Sequence, residues 1–223
     1  MITVSRRRHK GVYNRFVALD PDLVAPGRTA ILVSECQRMV VGDRSSLAAI
    51  VEAATPVLPV IGRLVEGGRR AGVQIVHGTA GRRDDGKGAG RTTRFAGRNE
   101  RERRQGVAFD PAGLEIVPEI GVDGSDIVIS RLHGMTPMTE TGLDPVLRNL
   151  GVSTIVATGV SLNVALAGTV IGAVDRGSHG VLPTDAVIGI PPDYGRAMLE
   201  NTYAMVARLT TTDELLSVWG QAG

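Results

Sequence analysis

Short apolar runs alternate with amphipathic stretches along most of this chain, and turn residues bound each run. The run TAILVS at 29–34 is apolar on both faces and reads as a buried strand. Residues 46–70 follow a helical pattern whose middle is disturbed by Pro56 and Pro59. Further strands are predicted at 74–79, 126–130 and 154–158, within 180–187, and near 208–211. Between them the pattern predicts a short helix around 143–149 and another from about 163 to 176. A third, over 192–207, is opened by Pro192 in its first turn. TTDELLSVW at 211–219 reads as a last amphipathic helix. Strands without a polar face, alternating with helices, predict an α/β protein. Its sheet has six strands, is mainly parallel, and carries helices on both faces.

A chain of 223 residues has room for one sizeable core. We expect an N-terminal extension over 1–27 and a single domain over 28–223. The basic start, MITVSRRRHKGVYNRF, lacks the apolar run that a secretory signal needs. No stretch approaches the ~20 apolar residues that span a bilayer, so no membrane partner is expected. A lone cysteine, Cys36, excludes an internal disulfide and fits the cytoplasm. A net charge of +2 and 3% aromatic residues argue against nucleic acid as a partner.

Charge is unevenly spread. Segment 81–106 carries nine basic and four acidic side chains, so its local +5 leaves about −3 on the rest of the chain. Such a block reads either as a solvated surface loop or as a lid or subunit contact over an active site. Within it, GRRDDGKG nearly matches a phosphate-binding loop but ends on Gly88 where a hydroxyl is required.

The turn after the fourth strand is where an open parallel sheet places its chemistry. Here it reads Gly159-Val-Ser161-Leu-Asn163, half of a nucleophile elbow with Asn163 in place of the final glycine. With that glycine absent, Ser161 reads first as a helix N-cap. The four histidines, at 9, 77, 133 and 179, show no metal-ligand spacing, and neither metal nor cofactor is expected. His77 reads as a buried or loop-ordering side chain. His133 shares a strand face with Arg131 by the period-two rule. Glu35 closes the first apolar strand, where a carboxylate needs a partner or a task. Arg131 can supply that partner, as an inert buried pair or as part of a site.

TAILVSECQ (29–37), QIVHGTA (74–80), VISRLHGMTPMTETGLDPVLRNLGV (128–152), ATGVSLNVALAGTVIGAVDRG (157–177) and PTDAV (183–187) occur in that order. Together they resemble the isochorismatase-like superfamily of cysteine hydrolases, which includes nicotinamidases. The resemblance implies a three-layer, Rossmann-like fold and a homodimer or homotetramer. It also implies a triad of Asp, Lys and Cys, whose matching positions here are Glu35, Arg131 and Ala165. The only lysines are Lys10 and Lys87 and the only cysteine lies on the first strand, so a shifted alignment restores none of the three. Cys36, adjacent to Glu35, is expected to face the other side of the sheet. A cis peptide at Val160–Ser161, turning the Ser161 and Ala165 amides into the site, is implied as well.

These substitutions change the expected chemistry. Ala165 cannot attack a carbonyl. Arg131 remains protonated and can hold an anion without relaying protons. Glu35 keeps a carboxyl able to act as general acid or base. Family members that cleave the vinyl ether of isochorismate need an acid and a water rather than a thiol. The expectation is a hydrolase for a small, anionic metabolite, with Glu35, Arg131 and His133 catalytic and Ser161, Asn163 and Ala165 binding substrate. The alternative is a silent relative that binds a metabolite or serves in an assembly.

Overall fold

The computed structural model describes residues 18–220. β1 (Thr29–Ser34) is buried along its whole length because a parallel strand flanks it on each side. On one side lie β2 (Gln74–Ala80) and then β3 (Ile127–Arg131) at the edge. On the other lie β4 (Thr154–Val160), β5 (His179–Pro183), the two-residue β6 (Val187–Ile188) and β7 (Arg208–Thr210). The order is β3-β2-β1-β4-β5-β7, with β6 on β4 and every ladder parallel.

The seventh strand corrects the expected six. Pro183 has no N–H to continue the ladder, and the chain turns there, with the Ala186 N–H donating to the Pro183 carbonyl at 3.0 Å. β5 therefore pairs with Thr154–Val156 and β6 with Gly159–Val160. Two short strands share one edge of β4.

The chain crosses from β1 to β2 through α1 (Arg38–Val41), α2 (Ala48–Ala54) and α3 (Leu58–Ala71). The single helix predicted over 46–70 is divided at its prolines, and α2 and α3 meet at 54°. α3 lays Leu58, Ile61, Leu64 and Val65 over Ile31, Val33 and Ile75. Its Gly68 comes so near the sheet that a Cβ there would collide with Ile31 Cδ1. α4 (Arg94–Arg104) lies inside the 81–106 segment, where no helix was expected. α5 (Leu143–Asn149) and α6 (Ala165–Val174) cover the opposite face, over Ala30, Leu32, Ile155 and Ala157.

The helix predicted over 192–207 is α7 (Pro192–Met198), a π-helical turn at Leu199–Tyr203 and α8 (Ala204–Val206). α9 (Thr212–Val218) returns to the face of α3 with Leu215 and Leu216 buried. Residues within 18–27 also pack on this core. Leu19 and Val24 are buried, Trp219 Nε1 donates to the Val24 carbonyl at 2.8 Å, and Leu19 N donates to Glu214 at 2.9 Å. The basic residues 1–17 lie outside the described residues. Among the described residues no single helix is long and apolar enough to cross a membrane.

Candidate active site

β1 ends at Ser34, and the next residue leaves the strand in an unusual way. Glu35 has φ of 52°, a left-handed conformation that costs a non-glycine residue about 1–2 kcal/mol. Its N–H still donates to the Gly78 carbonyl at 2.9 Å, so the backbone stays docked on β2 while the side chain is re-aimed. The carboxyl opens on a cavity of about 890 Å3 beyond the carboxyl ends of β1, β2 and β4. Arg131, the last residue of β3, lines the same cavity and its Nη2 donates directly to Glu35 Oε1. The two side chains are only 6% and 17% exposed, Arg131 and Glu35 respectively. Arg131 Nη1 also reaches the Thr79 carbonyl at 3.4 Å, and its buried Nε–H has no partner. Burial pushes the Glu35 carboxyl above the usual carboxylate range, even though the Arg131 guanidinium pulls in the other direction.

The third wall is the turn from β4 to α6, which contributes Val160, Ser161, Asn163, Val164 and Ala165. The Val160–Ser161 peptide is cis, as is Ile190–Pro191. Gly159, with φ of 101°, packs so tightly under this turn that a Cβ would collide with the Ser34 carbonyl. Glu35, Arg131 and Ala165, far apart in sequence, therefore converge on one cavity, together with Ser161, Asn163 and His133.

Three of these residues differ in detail from expectation. Ser161 is not the helix cap: α6 begins at Ala165 after Val164, with no side-chain capping bond. Asn163 borders the cavity, but its amide is committed to residue 190, donating to the Ile190 carbonyl at 3.0 Å and accepting from its N–H at 3.3 Å. It holds the turn in place. His133 does not share a strand face with Arg131, because β3 stops at Arg131 and His133 lies exposed on the loop beyond. Cys36 does not line the cavity. It is fully buried with Val33 and Val41, and burial, with the charge of Glu35 adding to it, pushes its thiol up to about 12.

Two further residues hold the site and were not singled out in the sequence. Gln37 is buried and joins three segments: its amide donates to the Ala80 carbonyl at 3.0 Å and the Leu114 carbonyl at 3.2 Å, and accepts from Ala80 N at 2.8 Å. A glutamine two residues past a strand-end carboxylate was the available signal, since a buried amide must find partners. Tyr203, on the π-helical turn, donates its hydroxyl to the Leu162 carbonyl from behind the β4–α6 turn. Segment 81–106, from Gly81 and Arg82 to Phe95 and Arg103, forms another wall, joined by Met39, Leu47 and Ile50 and by Val107 and Phe109. Among the described residues no group of three His, Cys, Asp or Glu side chains could hold a metal.

The family model for the isochorismatase domain matches residues 29–214, nearly the whole of the described fold. The chain belongs to the isochorismatase family. Its members are hydrolases. The isochorismatase family protein YwoC of Bacillus subtilis (strain 168) is 34% identical over 103 residues, covering 46% of this chain. That alignment spans about half, 53%, of the length of the curated relative. Among solved structures, a cysteine hydrolase from Pseudomonas syringae pv. phaseolicola 1448A superposes with a TM-score of 0.76 at 23% identity, over 93% of this chain and 97% of that one. N-carbamoylsarcosine amidase from Thermoplasma acidophilum superposes with a TM-score of 0.64 at 19% identity, over 83% and 97%. At these identities the structural likeness establishes the isochorismatase-family fold alone.

Proposed function

We propose that this isochorismatase-family chain is a hydrolase for a small anionic metabolite, working by general acid–base chemistry without a cysteine nucleophile. Glu35, Arg131 and Ala165 take the positions of the family's Asp, Lys and Cys. The observation that carries this reading is the Glu35 carboxyl, lifted above the ordinary carboxylate range by burial yet open to a cavity that water can enter. A carboxyl shifted in that direction keeps its proton to higher pH than a free one and can donate it. On a vinyl ether, Glu35 protonates the terminal alkene carbon, water adds to the oxocarbenium carbon and gives a proton back to the Glu35 carboxylate, and the resulting hemiketal collapses to a ketone and an alcohol. Arg131 holds the substrate's carboxylate through its free guanidinium donors. The amides of Ser161 and Ala165 line the site as further donors, and His133 serves as a second proton carrier. The chain acts as a homodimer or homotetramer, which the exposed apolar positions Ile171 and Val174 of α6 support.

A second reading rests on the direct contact between Glu35 and Arg131. If each is the other's permanent partner, the chain binds a metabolite without turning it over. A panel of anionic amides, esters and vinyl ethers, assayed with wild type and Glu35→Gln, separates the two. Turnover by the wild type that falls about 100-fold or more in the variant supports the hydrolase. Binding without turnover by either protein supports the second reading.

A further inference from the structure

The cavity is larger and more apolar than acid–base chemistry on a small group requires. It encloses about 890 Å3, whereas ~150 Å3 already accommodates a benzene ring. Five large apolar side chains along it, Phe95, Val107, Leu132, Met135 and Val164, are each between 38% and 52% exposed. Scattered exposed hydrophobic residues are ordinary, but five in one concavity mark a surface that a ligand covers.

Phe95 is the most telling of them. It is the one large apolar residue in the whole of 81–106, carried on a helix of arginines, glutamates and small residues. α4 brings it to the cavity without burying it, so the protein alone gains little from its placement. The same cavity is lined by Arg131, whose nearly buried guanidinium is the candidate anchor for an anion.

We propose that the site takes an acid with a large apolar body, an aryl or long-chain acyl carboxylate, with its charged group on Arg131 and its body against Phe95 and Leu132. This rests on reading Arg131 as the anion anchor and names the substrate class of that site. Phe95 sets specificity by stacking on the apolar body.

Calorimetric titration of the purified chain with naphthoate, naphthol, acetate and naphthalene dicarboxylate at pH 7 tests it. Naphthoate binds roughly 100-fold tighter than acetate, from buried apolar area, and roughly tenfold tighter than uncharged naphthol. Phe95→Ala and Leu132→Ala, both at exposed positions that the fold does not need, each weaken naphthoate roughly 5- to 10-fold and leave acetate unchanged. Equal binding of acetate and naphthoate, or variants that bind naphthoate as the wild type does, overturns the proposal. So does a dicarboxylate that binds more than tenfold tighter than naphthoate, because the far wall then takes a second anion. Because binding is read without turnover, failure of the acid–base reading leaves this result standing, and turnover of compact anions without naphthoate binding does the reverse.

Discussion

Glu35 is held in a left-handed backbone conformation at the end of the central strand, and its carboxyl meets the guanidinium of a residue 96 positions away. On the proposed alignment Ala165, 1% exposed, stands in for the family's cysteine and presents only a methyl group. Restoring only that thiol is expected to leave the site inert. The Glu35 carboxyl beside Arg131 offsets the guanidinium's charge, so the pair lowers the pKa of a new thiol little. In Ala165→Cys, iodoacetamide at pH 7 should label the introduced thiol no faster than an ordinary cysteine, and amide turnover should remain absent. Rapid selective labelling with amide turnover would show a site still poised for cysteine chemistry. Cys36, buried and with its thiol pushed up to about 12, provides an unreactive internal reference. Glu35 and Arg131 were legible in the sequence because a charge closing an apolar run stands out. His133 was misplaced because strand alternation ends with β3, and Ser161 because α6 begins only at Ala165. Both residues lie just past an element's end.

The ends of β1 and β2 are joined through one amide. Gln37 satisfies both the N–H and the carbonyl of Ala80 and also the carbonyl of Leu114, all beside the cavity wall. Gln37→Leu fills the same space but leaves those groups without partners, which costs about 1–3 kcal/mol per buried group. Urea unfolding should therefore show a loss of about 2 kcal/mol or more, and a loss under 0.5 kcal/mol would contradict this role. Element type was readable wherever a run was uniformly apolar, as in β1 and β4. Boundaries were less so: Pro183 splits an apparent strand, and the prolines at 56 and 59 split an apparent helix. α4 was hidden because its composition carries no apolar stripe. Only the Thr93 cap, accepting from Ala96 N at 3.1 Å, marks its start.

Across the whole molecule, the candidate site sits at the carboxyl ends of the strands while a second buried polar cluster ties the β3 edge to α3. His77 is fully buried in β2, its Nε2 3.0 Å from Asp126, which also accepts from Arg69 Nη2 at 2.6 Å. Burial holds His77 below the usual histidine range despite the neighbouring carboxylate. Burial pushes Asp126 upward, but hydrogen bonds from Arg69, the Asp123 N–H and His77 bring it below the usual range. His77 is thus neutral in the fold, and its unfolded form gains a proton below about pH 6.5. Its contribution to stability is complete above that pH and is lost as the pH falls toward its folded value. Between pH 7.5 and 5.5 the loss is up to about 1.4 kcal/mol. Urea midpoints at both pH values should converge in His77→Asn, with Glu35 common to both proteins and so cancelling. An equal acid shift in wild type and variant would contradict this. Three layers and a parallel sheet followed from the alternation of runs alone. The cavity did not, because its walls come from five separate stretches of chain that only the fold assembles.

The pH dependence of kcat/KM for an anionic vinyl ether, measured with wild type and Glu35→Gln, tests the central claim most directly. A protonated Glu35 acting as general acid predicts activity that is full below its folded pKa and falls about tenfold per pH unit above it. Glu35→Gln should lose that dependence together with about 100-fold or more of the rate. Activity that instead rises toward alkaline pH, or a variant as active as the wild type, would contradict acid catalysis by Glu35.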